Sequence, residues 1–132
     1  MSKSTKYCDS LIEYKRRMSR VVHIGDIPLG GKYPIRLQSM TTTNTMDTQG
    51  TIDQSIRMIN AGSEYVRITA PNIQESKNLL EIKKGLKQRG YTAPIIADIH
   101  FTPNAALEAA RIVEKVRINP GNYADRKKFE TH

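Results

Sequence analysis

Residues 94–119 read PIIADIHFTPNAALEAARIVEKVRIN, which is an apolar run, a helical pattern and a second apolar run. Both apolar runs are short and rich in β-branched residues, as buried strands are. Between them, Thr102 is placed to cap a helix whose first residue is Pro103. We predict this helix over about 103–115 and a strand over 116–119. A strand, a helix and a strand in this spacing predict parallel strands in a βαβ unit.

The same alternation extends toward the amino terminus. Isoleucines recur at helical spacing over about 48–61, and leucines and isoleucines do so over about 73–89. Strand-like runs precede and separate these helices at 35–40, 65–69 and 94–100. The resulting order of strands and helices predicts an α/β fold. We interpret it as the first half of a TIM-type (β/α)8 barrel, which needs about 250 residues when complete.

A four-stranded doubly wound sheet is the structural alternative to the barrel. That fold places a glycine-rich phosphate turn after its first strand. The corresponding loop here, residues 41–45, reads TTTNT and contains no glycine. Its hydroxyl and amide groups either face a ligand or belong to an ordinary βα loop.

The segment before the first barrel strand carries the signals of a hairpin. Residues 21–37 read VVHIGDIPLGGKYPIRL, in which two β-rich runs flank glycine-containing turns. We therefore divide the chain into a basic lead segment at 1–20, an N-terminal β-hairpin at 21–34 and an incomplete (β/α) barrel at 35–132. The lead segment is expected either to form a short basic helix or to lack regular structure.

The composition is that of an ordinary soluble domain, with 38% hydrophobic and 26% charged residues. The single cysteine, Cys8, excludes an internal disulfide and suits a reducing cytoplasm, where we expect the protein. No apolar run is long enough for a membrane span, and the first twenty residues contain no apolar region of the kind found in secretory signals, so we expect no such signal. The net charge of +8 lies in the terminal segments 1–36 and 111–132, whereas nucleic-acid-binding domains usually carry a basic stripe along the folded part. We therefore expect neither a membrane nor a nucleic-acid partner.

Charged side chains interrupt the predicted strands at alternate positions. Because the side chains of a strand point alternately to its two faces, each strand has an apolar face and a polar face. The apolar face should pack on the helices, and the polar face should point into the barrel near the carboxyl ends of the strands. The polar pairs are Arg67 with Thr69, Asp98 with His100, and Arg117 with Asn119.

These charges need partners, since an unpaired buried charge is strongly destabilising. One alternative is an internal salt-bridge network in which Asp98 pairs with Arg67 or Arg117. The other is an anionic ligand, phosphate above all, because the arginines outnumber the carboxylate and guanidinium groups suit phosphate oxygens. Asn122 follows a Pro-Gly turn and either lies at the same mouth or serves only the turn. We predict no metal site, because Cys8 has no partner at metal-ligand spacing.

The strings VVHIGDIPLGG, PIRLQSMTTTNT, VRIT, IADIHF and RINPGN occur in this order along the chain. In order and spacing they resemble the 4-hydroxy-3-methylbut-2-en-1-yl diphosphate synthase family, over about residues 15–132. ADIHF followed by RINPGN one helix later is the most specific part of the resemblance. The strings DTQGTIDQS and NPGNYAD resemble the long form of the family, which carries an extra domain inserted after the barrel.

The resemblance implies an oxidoreductase of isoprenoid biosynthesis by the methylerythritol phosphate pathway. Members of this family reductively open 2-C-methyl-D-erythritol 2,4-cyclodiphosphate to 4-hydroxy-3-methylbut-2-enyl diphosphate, with electrons from reduced flavodoxin or ferredoxin. Their barrel holds the substrate, and a separate domain holds a 4Fe-4S cluster. At the positions where the motifs match, the resemblance implies that the substrate pocket is lined by Arg67, Asp98, His100, Arg117, Asn119 and Asn122.

Part of the family's machinery does not lie in this sequence. The cluster needs cysteine thiolates, together with a glutamate in this family, and the one cysteine here stands outside any such motif. We therefore expect no bound cofactor and no catalytic residue in this chain, whose iron-sulfur domain is absent. The chain alone should be inactive, and it should either self-associate through open sheet edges or be poorly folded. Two rival functions stay open, a different phosphate- or pterin-binding barrel that resembles dihydropteroate synthase and a basic nucleic-acid-binding module.

Overall fold

The structure is a computed structural model that describes Cys8 and residues 10–122. The expected alternation of strands and helices is present, preceded by a hairpin. In chain order the elements are β1 (Val22–Ile24), β2 (Ile27–Leu29), β3 (Gln38–Met40), α1 (Thr48–Asn60), β4 (Tyr65–Thr69), α2 (Ile73–Gln88), β5 (Ile95–Ile99), α3 (Pro103–Ala110) and β6 (Lys115–Ile118). None of the helices in the described part of the chain combines the length and the apolar composition that a membrane crossing requires.

The last four strands form one parallel sheet in the order β3-β4-β5-β6, and β1 pairs antiparallel with β2. Neighbours in the parallel sheet are joined by helices, as βαβ units require. The α/β class, with a hairpin before a parallel sheet, is confirmed. The strand order follows the chain order without the reversal that defines a doubly wound sheet, which favours the barrel over that alternative.

The helices cover one face of the sheet, which we call the outer face. Side chains at alternate positions of β4 and β5 pack against the apolar stripes of α1 and α2 and the alanines of α3. The period-two prediction for these strands is confirmed, since Val66, Ile68, Ala97 and Ile99 are buried in this layer. Burial of aliphatic side chains on this scale is the main stabilising contribution in a domain of this size.

The helix starts follow local capping chemistry. Asn72 caps α2 by accepting a hydrogen bond from the Glu75 backbone N–H, and its amide donates to the Glu75 carboxylate. Asp47 caps α1 by accepting a hydrogen bond from the Gly50 backbone N–H. Thr102 precedes α3 without making a capping bond; its hydroxyl donates instead to the carbonyl of Pro71. That bond connects the start of α3 to the loop after β4.

The hairpin covers the lower part of the opposite, inner face of the sheet, near the amino ends of the strands. Ile24 is buried against Tyr65 and Ile96, which both point to this inner face. Arg36 fixes the hairpin through its Nε and Nη2, which donate to the Pro28 carbonyl at 2.9 and 2.8 Å. The hairpin therefore closes one end of the inner face and leaves the carboxyl end of the strands open.

The predicted bounds of the first barrel strand and of the third helix were wrong. The first barrel strand was predicted over 35–40, but β3 is confined to Gln38–Met40 because only these residues are paired with β4. The third helix was predicted to reach 115 but ends at Ala110, where Ile112 and Val113 both direct their N–H to the Ala109 carbonyl and turn the chain into β6. In the lead segment, residues 10–20 form no helix; residues 1–7 and 9 lie outside the described part.

Candidate functional site

Two arginines from different strands converge on one carboxylate at the inner face. Arg67 of β4 donates from Nη2 and Nε to Oδ2 of Asp98, at 2.6 and 3.1 Å. Arg117 of β6 donates from Nη1 to Oδ1 of the same aspartate at 3.1 Å. Asp98 sits between them on β5, so the sheet order itself brings the three groups together. They lie toward the carboxyl ends of the strands, where parallel α/β folds bind their ligands.

The register explains why these side chains meet. Asp98 pairs across the sheet with Thr69 on one side and Arg117 on the other, so the three form one row on the inner face. Arg67 belongs to the row below, beside Ile96, and its long side chain reaches up to the carboxylate. We call Arg67, Asp98, His100 and Arg117 the arginine–aspartate cluster.

Asp98 is the buried centre of the cluster. Its side chain is 1% exposed, whereas those of Arg67 and Arg117 are 27% and 39% exposed. Burial alone would raise the pKa of Asp98, but the hydrogen bond and charge of Arg67, and then the hydrogen bond of Arg117, outweigh burial and hold the pKa below its ordinary value. Asp98 is therefore ionised throughout the physiological range and acts as an acceptor, not as an acid.

The cluster carries an excess of positive charge. Two guanidinium groups face one carboxylate, and both arginines keep part of their surface in solvent. The internal salt-bridge network considered from the sequence is thus present, with Asp98 pairing with both arginines. One positive charge of this network is not neutralised, so the network can still attract an anion.

The other three predicted residues differ in their contacts with Asp98 and the two arginines. His100 brings Nε2 to 3.4 Å from Oδ2 of Asp98 and is partly exposed. Asn119 directly follows β6, and its side-chain oxygen accepts from the Gly121 backbone N–H at 3.2 Å. Asn122 is exposed in a helical turn, and the described residues show no hydrogen bond from it to the cluster. The structure thus brings together four of the six predicted residues and puts Asn119 and Asn122 just after β6.

The loop at 41–45 is held by hydrogen bonds within the fold. Thr45 is buried and donates to the Thr69 carbonyl, and its own carbonyl accepts from the amide of Asn78 at 2.7 Å. The Thr43 hydroxyl bonds that of Thr51 at 2.7 Å. These hydroxyls therefore shape the loop beside β4, as the ordinary-loop alternative requires.

Sequence reasoning missed one cation on the inner face. Lys115 pairs in register with Ile96 and shares its face of β6 with Arg117. It is partly buried, and no salt bridge holds its ammonium among residues 10–122. The signal was available, because Lys115 lies two residues before Arg117, but the strand had been predicted to begin one residue later.

No group of three or more His, Cys, Asp or Glu side chains in the described residues is arranged to hold a metal ion. Within the cluster, only Asp98 and His100 have metal-ligating side chains, and the two adjacent guanidinium groups would repel a cation. Guanidinium groups are instead suited to the oxygens of an anion.

Comparisons with known proteins identify the family to which this chain belongs. The model of the GcpE TIM-barrel domain matches residues 19–132. A 4-hydroxy-3-methylbut-2-en-1-yl diphosphate synthase (flavodoxin) from Parabacteroides distasonis is 58% identical over 119 residues, which cover 90% of this chain and 20% of the relative. One with the same name from Protochlamydia amoebophila is 48% identical over 122 residues, covering 92% and 19%.

A plant relative is more distant. The 4-hydroxy-3-methylbut-2-en-1-yl diphosphate synthase (ferredoxin), chloroplastic, of Oryza sativa subsp. japonica is 45% identical over 122 residues, which cover 92% of this chain and 16% of the relative. The chain thus spans about a fifth of the length of the curated relatives it matches. The domain match covers both the hairpin and the parallel sheet, and the chain belongs to the GcpE TIM-barrel domain family.

Proposed function

We propose that this chain supplies part of the substrate-binding barrel of a 4-hydroxy-3-methylbut-2-en-1-yl diphosphate synthase. The proposed substrate is 2-C-methyl-D-erythritol 2,4-cyclodiphosphate, and the proposed product is 4-hydroxy-3-methylbut-2-enyl diphosphate. Flavodoxin or ferredoxin would donate the electrons to the complete enzyme, as the names of the relatives suggest. The family match supports this function over a dihydropteroate synthase-like barrel or a nucleic-acid-binding module.

The observation that carries the proposal is the unbalanced charge at the open end of the sheet. Among the residues that the structure describes, Arg67 uses Nε and one N–H of Nη2 for Asp98, which leaves the N–H groups of its Nη1 for a ligand. Within the same residues, Arg117 uses only Nη1, which leaves its Nε and Nη2. Guanidinium groups held in a fixed orientation bind phosphate oxygens in pairs, and a cyclic diphosphate offers several such oxygens.

Asp98 would act here as a positioning residue. It is buried and ionised, and each of its oxygens holds one arginine. His100 is close enough to Asp98 to be oriented by it, and its ring is partly exposed toward the open end. We propose that His100, Asn119 and Asn122 complete the ligand contacts when the rest of the barrel encloses the site.

The residues described here do not fit a 4Fe-4S cluster. Such a cluster is held mainly by cysteine thiolates, and the one cysteine of this chain, Cys8, is exposed and free. We therefore assign no step of electron transfer to these residues. We propose that the chain consists of a lead segment up to residue 20, a hairpin from 21 to 34 and an incomplete barrel from residue 35. We also propose that the protein is cytoplasmic and that it corresponds to the long form of the family.

A hybrid enzyme tests the proposed function. In the relative that is 58% identical, the 119 matched residues would be exchanged for those of this chain. The hybrid should consume the cyclodiphosphate with reduced flavodoxin, and Arg117→Ala should reduce this activity by raising the KM. Arg111→Ala is the matched control, because Arg111 lies on the exposed surface beside Glu108.

Two results would contradict the proposal. One is a folded hybrid that contains its iron-sulfur cluster but neither binds nor converts the cyclodiphosphate. The other is an Arg117→Ala variant with the kinetics of the unaltered hybrid. The visible spectrum of the cluster and the circular dichroism of each protein would establish that the hybrid is intact before its kinetics are compared.

A further inference from the structure

Thr69 occupies the same inner-face row as the buried aspartate. The register pairs Thr69 with Asp98, and Asp98 with Arg117, on three neighbouring strands. The residues on either side of Thr69, Ile68 in β4 and Ala70 just after it, are fully buried in the layer that packs on the helices. Thr69 therefore points to the inner face, about 5 Å from the Asp98 backbone, the usual spacing between paired strands.

The hydroxyl of Thr69 has no hydrogen-bond partner among residues 10–122, unlike the other polar side chains of this row. Thr69 itself is partly exposed rather than buried. Asp98, the nearest acceptor in the row, already receives Arg67 on Oδ2 and Arg117 on Oδ1. A hydroxyl in this position is free to donate to a ligand.

The backbone around this hydroxyl is held firmly. The Thr69 carbonyl accepts from the buried hydroxyl of Thr45, and the next N–H, that of Ala70, donates to the Asp98 carbonyl at 3.0 Å. Threonine also has a restricted set of side-chain rotamers because it is branched at Cβ. The hydroxyl is thus presented at a fixed place beside the two guanidinium groups.

We propose that the Thr69 hydroxyl donates a hydrogen bond to a phosphate oxygen of the ligand bound by Arg67 and Arg117. The inference rests on the proposed function. It adds one neutral hydrogen-bond donor, on a residue that is not among the six assigned to the pocket by the resemblance. A hydroxyl complements the arginines because it binds a single oxygen without adding to the repulsion between the cations. Thr69 would then help to select a phosphorylated ligand at this row.

The test uses the hybrid enzyme with Thr69→Val, which keeps the shape of the side chain and removes the donor. The KM for the cyclodiphosphate should rise by about tenfold or more, as expected for a lost hydrogen bond to a charged group, with kcat little changed. Thr69→Ser should restore a KM close to that of the hybrid. Thr92→Val makes the same chemical change at an exposed site before β5, at the opposite end of the sheet, and should have no effect.

The outcome also separates this inference from the proposed function. If Arg67→Ala raises the KM and Thr69→Val does not, the inference about Thr69 is overturned and the proposed function stands. If neither substitution has an effect, both fail. Should the hybrid be inactive, equilibrium titration of the 132-residue chain with inorganic diphosphate decides, because Thr69→Val should weaken that binding and Thr69→Ser should not.

Discussion

Arg67 and Asp98 are joined through a single carboxylate oxygen, with Oδ2 lying 2.6 Å from Nη2 and 3.1 Å from Nε. This leaves Oδ1 for Arg117 at 3.1 Å. Each guanidinium is therefore oriented by its own oxygen of one buried group. This arrangement reduces the side-chain entropy that is lost when a ligand binds, because the arginines are already in place.

Replacing Arg67 with Ala should weaken binding of the cyclodiphosphate by the hybrid enzyme by about 2–5 kcal/mol, since it removes a charged donor and leaves Asp98 with one partner fewer. Equilibrium titration measures the loss. Arg89→Ala is the control, because Arg89 pairs with Asp53 on the outer surface, where both side chains are about half exposed. Equal losses in the two variants would show that general charge, rather than the cluster, attracts the ligand.

Replacing Asp98 with Asn should destabilise the protein in a pH-dependent way. The arginines hold the pKa of the folded-state carboxyl below its ordinary value despite burial. The carboxylate therefore contributes stability above the ordinary aspartate pKa of about 3.9, and this contribution is lost as the pH falls through that value toward the lower folded pKa. At pH 7 the variant should be less stable by about 1–3 kcal/mol, because the paired arginines are partly solvated.

Urea denaturation of the unaltered protein and of its Asp98→Asn variant at several pH values tests the direction of this pH dependence. The difference in the free energy of unfolding should stay constant between pH 7 and about pH 5 and shrink below about pH 4. The other carboxylates titrate in both proteins and cancel in the difference. A difference that grows on acidification would mean that Asp98 is held protonated in the fold, contrary to the geometry.

The local features of the fold were predictable from the sequence. The alternation of Val66, Arg67 and Ile68 specifies two faces without any knowledge of tertiary structure, and the parallel order then brings the carboxyl ends of the strands together. The Asn72 cap was predictable for the same reason, since its partner is three residues away. What these features have in common is that each depends on neighbours in the chain.

Features that depend on distant contacts were not predictable. The hairpin signals do not say that Ile24 will cover Tyr65 and Ile96 and thereby close one end of the inner face. The end of α3 at Ala110 depends on where β6 must start to pair with β5, so the sequence pattern overextended this helix. Because the helix was predicted to reach residue 115, Lys115 was placed outside the strand and was not predicted to lie on the inner face.

Ile24→Ala should destabilise the domain by about 2–5 kcal/mol, because it opens a cavity between the hairpin and the inner face of the sheet. Ile24 is 4% exposed, whereas Val22 on the same strand is half exposed. Val22→Ala is therefore the matched control and should cost far less. Urea denaturation followed by circular dichroism measures both, and equal effects would show that the hairpin does not pack on the sheet as described.

The 132-residue chain on its own should self-associate through its sheet edges. Within residues 10–122, β3 and β6 each pair on one side only, and an unpaired strand edge offers N–H and C=O groups to another chain. Sedimentation velocity over a range of concentrations should show species larger than a monomer. Ile118→Lys, which puts a charge on β6, should reduce association, whereas Leu107→Lys on the exposed surface of α3 should not. A sharp monomeric boundary together with cooperative melting would contradict the prediction, because the open edges would then not drive association.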